Sequence, residues 1–467
     1  MALESIVLAK RRELFGVGGR SAAELAEGLP PSDRDFYAAL AGPSPAFVLE
    51  VKPRSPSAGA LRDPSALDEV IAAYHRHASV VSVLADREFF GGSPELVERV
   101  RARVTQPVLW KDVVVDPVQV TLARRHGADA VLLMLSVLDD ATYRAAAGLA
   151  ERLGMGVLTE VHDHGEMARA IALGARVIGI NNRNLRTLRV ELETTRRLAP
   201  GAPADTIVIA ESGIEHSRHV DGLRDSVDGF LVGSAVMKAP DPDRVVRSLV
   251  FGETKVCGLT RPEDAAAARD AGATHGGLVF ASGSPRLVSE ARARSVVDAA
   301  ELAWVGVFVN PDPREAGRAA RRFGLAAVQL HGEETPAEIA AVRRELPPGC
   351  RVWKALPVGD RLPPLDRTGA DLVLLDAHTR AARGGTGTSF DWRLLDPLPR
   401  PRRLGLAGGL DADNVWQAAS MGLELLDVSS GVEAAPGQKD RHRLARFFAR
   451  RRGPRRARPT TARETHP

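Results

Sequence analysis

Sixteen short apolar runs, each followed by an amphipathic stretch, organise this chain, and they come in two successive sets of eight. In the first set the strand-like runs fall at 46–51, 80–84, 107–110, 130–135, 156–161, 177–181, 206–210 and 229–232. Stretches such as Pro117–Arg125 and Glu166–Leu173 separate them, and Gly127, Gly154 and Gly174 close three of the intervals. Short runs with little polar alternation suit strands buried on both faces, and helices between them imply parallel pairing by crossover. Eight such units in about 200 residues predict a closed barrel of alternating strands and helices. The rhythm restarts at 254–256, 276–280, 304–309, 326–330, 351–356, 371–375, 403–407 and 424–428, with Ala-rich stretches such as Pro262–Ala271 and Ala337–Leu346 between. The expected class is therefore α/β, two tandem (β/α)8 TIM barrels joined by a very short linker near Phe251-Gly252-Glu253. With no Pro- or Ser-rich spacer, the barrels are expected to touch and hold a fixed orientation. The expected boundaries are 1–251, including a helical N-terminal extension, then 254–448, then a disordered Arg-rich tail at 449–467.

Charge and composition narrow the function. The formal charge is +4, but residues 441–467 hold ten arginines against one acid, Glu464, so the body before them is mildly acidic. That argues against a nucleic-acid partner, which requires a basic face on the folded part. No run of about 18 apolar residues appears, and the start lacks a signal-peptide pattern, so a cytoplasmic protein without a membrane partner is expected. Two cysteines, Cys257 and Cys350, provide neither a disulfide framework nor a zinc site. No G-x-G-x-x-G follows a strand, and no metal or organic cofactor is expected. A monomer is the expected state.

Candidate chemistry gathers where strands hand over to loops. Glu50 and Lys52 lie two residues apart at the end of a strand, so both face one side, and Pro53 and Pro56 then end the ladder. Lys111, Glu160, the pair Asn181 and Arg183, and Glu211-Ser212-Gly213 close other runs. In a barrel these ends converge on one mouth, where active sites sit. Two lysines facing three carboxylates make a setting that drives pKa values apart. Gly233-Ser234 after the eighth strand, with Ser212-Gly213 after the seventh, suits a phosphate.

The segments Glu50–Gly59, Ser82–Ser93, Leu109–Asp112, Thr159-Glu160-Val161, Gly179–Asn184 and Ala210–Ile214 resemble indole-3-glycerol-phosphate synthase, through essentially all of residues 1–250. The resemblance implies ring closure of 1-(2-carboxyphenylamino)-1-deoxyribulose 5-phosphate with loss of carbon dioxide and water. It makes Lys111 the general acid and Glu160 the general base at dehydration, assisted by Glu50 and Lys52. Asn181 and Arg183 would position the substrate, and Glu211 and Ser212 would line the pocket. Ser55, Gly213, Gly233 and Ser234 would meet the phosphate, and Phe89 and Leu185 would flank the aromatic ring.

In the second set, the first strand ends Lys255-Val256-Cys257-Gly258, placing a thiol at the mouth. Asp376 ends the sixth and is followed by a glycine loop containing Gly385. Gly408 and Gly409 follow the seventh, and Ser429 and Ser430 the eighth, again suiting a phosphate. With Ser284-Pro285-Arg286, Val305–Phe308 and Gln329–Gly332, these segments resemble phosphoribosylanthranilate isomerase across 254–448. The resemblance implies an Amadori rearrangement. Asp376 would open the ribose ring as an acid, and Cys257 would remove the C2 proton. Arg286 would hold the substrate carboxylate, His331 would line the pocket, and Gly385 would join the phosphate cradle.

The expectation is a bifunctional tryptophan-biosynthesis enzyme, a carboxy-lyase joined to an intramolecular oxidoreductase, acting on sugar-phosphate substrates. Two alternatives stand beside it. A pair of barrels acting on another sugar phosphate, as in histidine biosynthesis, would favour an Asp at each first strand end, where this chain has Glu50/Lys52 and Cys257. Otherwise one barrel is inactive and serves as a scaffold.

Overall fold

The computed structural model describes residues 3–14, 21–56, 58–365, 368–377, 390–396 and 403–456. Two compact units result, one from residues 1–246 with 454–467, the other from 247–453.

In the first unit the barrel strands are β1 (Ala46–Val51), β2 (Val80–Leu84), β3 (Val108–Lys111), β4 (Ala130–Met134), β5 (Gly156–Val161), β6 (Val177–Asn181), β7 (Ile207–Glu211) and β8 (Gly229–Val232). Each pairs in parallel with its neighbours, and β1 pairs with both β2 and β8, so the sheet closes. Five of these strands coincide with the predicted runs, and the third, fourth and seventh differ by one residue. The third is shifted by one, so that Lys111 ends it. Ala46, Val48, Leu109, Leu132, Leu158, Ile209 and Leu231 meet in one buried cluster, joined by Phe36 and Leu40 of the N-terminal extension.

That extension begins with the helix Leu3–Leu14, whose Lys10 is buried. The Lys10 Nζ lies 2.7 Å from Asp86 and 3.2 Å from Asp112, carboxylates that follow β2 and β3. Burial opposes the ammonium, but Asp112 and Asp86 outweigh it and hold the amine charged. Burial, reinforced by Asp86 and opposed by Lys10, pushes Asp112 up to about 7. Three buried ionisable groups thus seat the first helix beside the rim that carries Lys111.

In the second unit the strands are β9 (Thr254–Val256), β10 (His275–Val279), β11 (Ala303–Phe308), β12 (Ala327–Leu330), β13 (Arg351–Val358), β14 (Leu372–Ala377), β15 (Leu404–Leu406) and β16 (Leu425–Val428). They also close in parallel, β9 pairing with β10 and β16. Trp353 packs among Val305, Ala355, Leu372 and Leu374 inside. Gly385 and the rest of 378–389 lie outside the described residues.

One expectation about the tail is corrected. The last helix, Arg441–Arg451, runs past 449 because Leu444, Phe447 and Phe448 are buried, and the described chain continues to Arg456. Arg455 Nε lies 2.5 Å from Asp228, and Arg456 lies 3.1 Å from the other oxygen of the same carboxylate. Burial pushes Asp228 up, but Arg455, the Val208 N–H and Arg456 more than reverse this, and the carboxyl is held below its ordinary range. Its contribution is therefore complete at neutral pH and fades as pH falls through that lowered value. Replacing Arg455 and Arg456 together by alanine is expected to cost about 1–3 kcal/mol, the penalty of a buried acceptor left short of partners. Calorimetry of the full chain checks this as a drop of several degrees in one unfolding transition. Residues 457–467 lie outside the described residues.

Two candidate active sites

At the C-terminal end of the first barrel, the last ladder rungs set the height of the polar groups. Leu84 pairs with Lys111, Met134 with Glu160, and Asn181 with Glu211. Apolar strands ending at the same level therefore deliver an amine and carboxylates to one place. The Lys111 Nζ lies 3.5 Å from Glu211, 3.7 Å from Glu50 and 3.8 Å from Glu160. Lys52 sits 2.6 Å from Glu50, the same-face contact expected from two-residue spacing. Burial opposes charge on Lys111, yet the three carboxylates outweigh it and raise the amine above its ordinary value. Lys52 and Lys111 likewise overcome burial at Glu50 and lower it. Glu160 is lowered despite burial, chiefly by His162, then by Lys111 and Asn181. Glu211 moves the other way, raised by burial with Glu160 and Glu50 adding to it against Lys111.

A cavity of about 510 Å³ opens over these groups, within the range of small-ligand sites. Glu50, Lys52, Lys111, Glu160, Asn181, Arg183, Glu211 and Ser212 all line it, as do Ser55, Gly213, Gly233 and Ser234. Ser212 has φ 64° and Gly213 φ 80°. A left-handed serine at a strand end is a strained geometry of the kind retained at functional sites. Leu185 lines the cavity, but Phe89 does not: it is 7% exposed and belongs to the core cluster. The lining aromatic is Phe90. Asp86 accepts both the Phe89 and Phe90 backbone N–H groups, so the turn after β2 directs the first ring inward and the second to the cavity. Leu3 and Ile6 of the first helix also line the cavity.

Gly179 is the residue that makes room for Glu211. A Cβ at 179 would lie 1.9 Å from the Glu211 Oε1. Gly179→Ala is expected to push that carboxylate off Lys111 and lower the turnover of this barrel, with destabilisation of about 1–3 kcal/mol from overpacking. Turnover and thermal unfolding measured on one preparation check both.

At the mouth of the second barrel, Lys255, two residues before Cys257, is fully buried. Its ammonium lies 2.7 Å from Asp427 and donates to the Gln329 side-chain Oε1 at 2.8 Å. Burial pushes the Cys257 thiol up, Lys255 opposes this, and Asp427 adds to it. The Ser429 hydroxyl donates to the Cys257 carbonyl at 3.2 Å. Asp376 is buried and meets the His331 Nε2 at 3.1 Å. Gly408, at φ 81°, follows β15 where a Cβ would lie 2.7 Å from Asp376. The turns bearing Gly409 and Ser430 meet, since the Leu410 carbonyl packs directly on Gly431. Arg286 is already engaged: Nε and Nη2 reach the two Glu433 oxygens at 2.9 and 2.7 Å. Any further carboxylate brought to that guanidinium would share it with Glu433, which Lys439 also contacts at 2.7 Å.

His162, Lys255, Asp427 and Glu433 escaped the reading of the sequence. For the first two the signal was present: each lies two residues from a predicted site residue, on the same strand face. Asp427 stood inside a mostly apolar run whose other acid, Glu424, opens it. Glu433 carried no such mark. Among the described residues no group of three or more His, Cys, Asp or Glu is set to hold a metal ion. Among the same residues no helix is long and apolar enough to cross a membrane.

Comparison with known proteins gives a family for each barrel. The family model described as indole-3-glycerol phosphate synthase matches residues 3–249, and that for N-(5'-phosphoribosyl)anthranilate isomerase matches residues 254–450. A tryptophan biosynthesis protein TrpCF from Vibrio cholerae serotype O1 is 50% identical over 420 residues, covering 90% of this chain and 89% of its own length. One of the same name from Yersinia pestis is 49% identical, covering 89% and 87%. A solved phosphoribosyl anthranilate isomerase from Thermus thermophilus aligns with 42% of this chain and 97% of its own, at 36% identity and a TM-score of 0.39.

Proposed function

This chain belongs to the bifunctional tryptophan-biosynthesis family that joins an indole-3-glycerol phosphate synthase to a phosphoribosylanthranilate isomerase, and on that premise we propose how its side chains divide the two reactions. Its substrates are sugar phosphates.

For the synthase, the carrying observation is a single half-buried amine, Lys111, within 4 Å of three buried carboxylates on three other strands. Ring closure joins an aromatic carbon to the ketone carbon of the substrate. Lys111 gives its proton to the ketone oxygen as that bond forms, so negative charge never builds up in a dry pocket. Loss of carbon dioxide restores the electron pair to the ring. Lys111, reprotonated, then assists departure of the hydroxyl as water, and Glu160 takes the remaining carbon-bound proton. Glu50 and Lys52 support these transfers. Asn181, Arg183, Glu211 and Ser212 orient the substrate, and Leu185 flanks its ring. Ser55, Gly213, Gly233 and Ser234 take the phosphate.

For the isomerase, Asp376 protonates the ribose ring oxygen and opens it, and Cys257 removes the C2 proton. The product is the aminoketose that the synthase consumes. Arg286 meets the anthranilate carboxylate, and His331 orients Asp376. Gly408, Gly409, Ser429 and Ser430 take the phosphate, with Gly385, which lies outside the described residues. The scaffold alternative has no support, since each barrel matches its own family. We further assign the protein to the cytoplasm, as a monomer without a nucleic-acid partner.

Giving N-(5'-phosphoribosyl)anthranilate alone to the purified chain tests the whole reading. The indole chromophore should appear. Accumulation of the aminoketose without indole would remove the synthase assignment, and an unchanged substrate would remove the isomerase.

A further inference from the structure

We infer that His162, held by Glu166, is a positioning residue of the synthase reaction that decides which buried carboxylate at the rim carries a proton. The inference rests on the reading of Glu160 as the base.

His162 lies just beyond β5, two residues past Glu160 and on the same face. Its Nε2 is 3.3 Å from Glu160, and its Nδ1 is 3.1 Å from Glu166. The same Glu166 oxygen accepts the His162 backbone N–H at 2.7 Å. Glu166 is itself fixed in the first turn of the helix His164–Ala172, where its N–H donates to Asp163 at 2.9 Å. The imidazole is therefore clamped between two carboxylates, and only one of them faces the cavity.

The three cavity carboxylates differ chiefly in what else they touch. Glu50, Glu160 and Glu211 are all buried, and all stand at similar distances from Lys111. Glu50 has Lys52 as a second cation, and Glu160 has His162. Among the described residues Glu211 has only Lys111 within ion-pair distance. The ionisable groups linked to one another by contacts of 4 Å or less are Glu50 and Lys52 on β1, Lys111 on β3, Glu160 on β5, Glu211 on β7, His162, and Glu166 on the following helix. Arg183, Asp112, Glu215 and His219 also line the cavity but, among the described residues, form no ion pair with them. Asn181 on β6 adds a neutral amide.

Within that ion-paired set, with His162 charged, three cations face four carboxylates. Desolvation disfavours the one surplus negative charge, and the proton settles on the carboxylate with the fewest cations, Glu211. Burial works against a charged His162, but Glu160 and Glu166 raise it to about 10. Glu160 and Glu211, equally buried, move in opposite directions. The outcome is a division of labour. Glu160 stands unprotonated and ready to accept, and Glu211 stands neutral and able to donate a hydrogen bond. Without the imidazolium, Glu160 and Glu211 compete for the same proton, and the base is blocked until the pH rises enough to remove it.

The test is His162→Gln in the full chain, with synthase turnover measured from about pH 6 to about pH 9 and isomerase turnover in the same preparation as the control. A nearby opposite charge shifts a carboxyl by about 1–3 pH units. Synthase turnover should therefore fall about tenfold at pH 7 and return to within about twofold of the parent near pH 9. Glu166→Gln should move the profile in the same direction by less, and it serves where His162→Gln does not fold. A fall of equal size at every pH, or an unchanged profile, overturns the inference, since a purely structural histidine shifts no pH limb. Glu160→Gln separates the premise from the inference. If that variant keeps full synthase turnover, the base assignment fails; if it is inactive while His162→Gln leaves the profile unmoved, only the role of His162 fails.

Discussion

Lys111→Met is expected to remove synthase activity while leaving isomerase activity at the parent level. General acid catalysis contributes about 10²–10⁴-fold, and turnover should fall by at least that much. The loss has two sources. The proton that neutralises the ketone oxygen is gone, and so is the one cation common to Glu50, Glu160 and Glu211. Without it, buried carboxylates retain Lys52 and His162 alone, so Glu160 takes up a proton more readily and the base is impaired as well. Methionine keeps the length and the apolar stem, so the β3 end should stay packed; circular dichroism and the isomerase rate of the same sample check that it does. Retention of more than about a tenth of the synthase rate contradicts the assignment of Lys111.

The converse result is expected for Cys257→Ala and Asp376→Asn. Each should lower isomerase turnover by about 10²–10⁴-fold with the synthase assay, run on supplied aminoketose, unaffected. Alanine removes the base outright. Asparagine preserves the shape beside His331 and Gly408 but has no proton to give. In the parent chain, burial and Asp427 raise the Cys257 thiol, so its thiolate fraction, and with it isomerase turnover, should climb with pH above neutrality. That climb should be absent from the residual activity of Cys257→Ala. If either variant abolishes both reactions, the assignment of one chemistry to each barrel is wrong.

Both barrels were legible because their cause is local. A buried parallel strand is apolar along most of its length, so a polar residue closing a run marks the strand's end region, and parallel strands put all such ends on one side. On that basis the sequence alone places Lys111, Glu160, Asn181 and Glu211 at a common mouth. It does not place Phe89. Whether the first or the second ring of the Phe89-Phe90 pair faces the cavity depends on how Asp86 folds the turn after β2. The start of the tail is ordered, contrary to expectation, for a related reason. Its arginines look solvated in a local window, and their partners lie more than 220 residues earlier: the Asp228 carboxylate for both, with the Ser226 and Thr206 carbonyls for Arg456.

The amino-acid order by itself determined the two rings of strands, their direction, and the identity of most rim residues, because periodicity and strand ends depend on near neighbours. The tertiary structure alone decided the charge state of those residues. Glu50, Glu160 and Glu211 are the same side chain in similar local settings, yet two are held as carboxylates and one is driven toward its neutral form. That difference comes from desolvation and from counting cations a few ångströms away across the barrel, quantities set by distance in space and not by position along the chain.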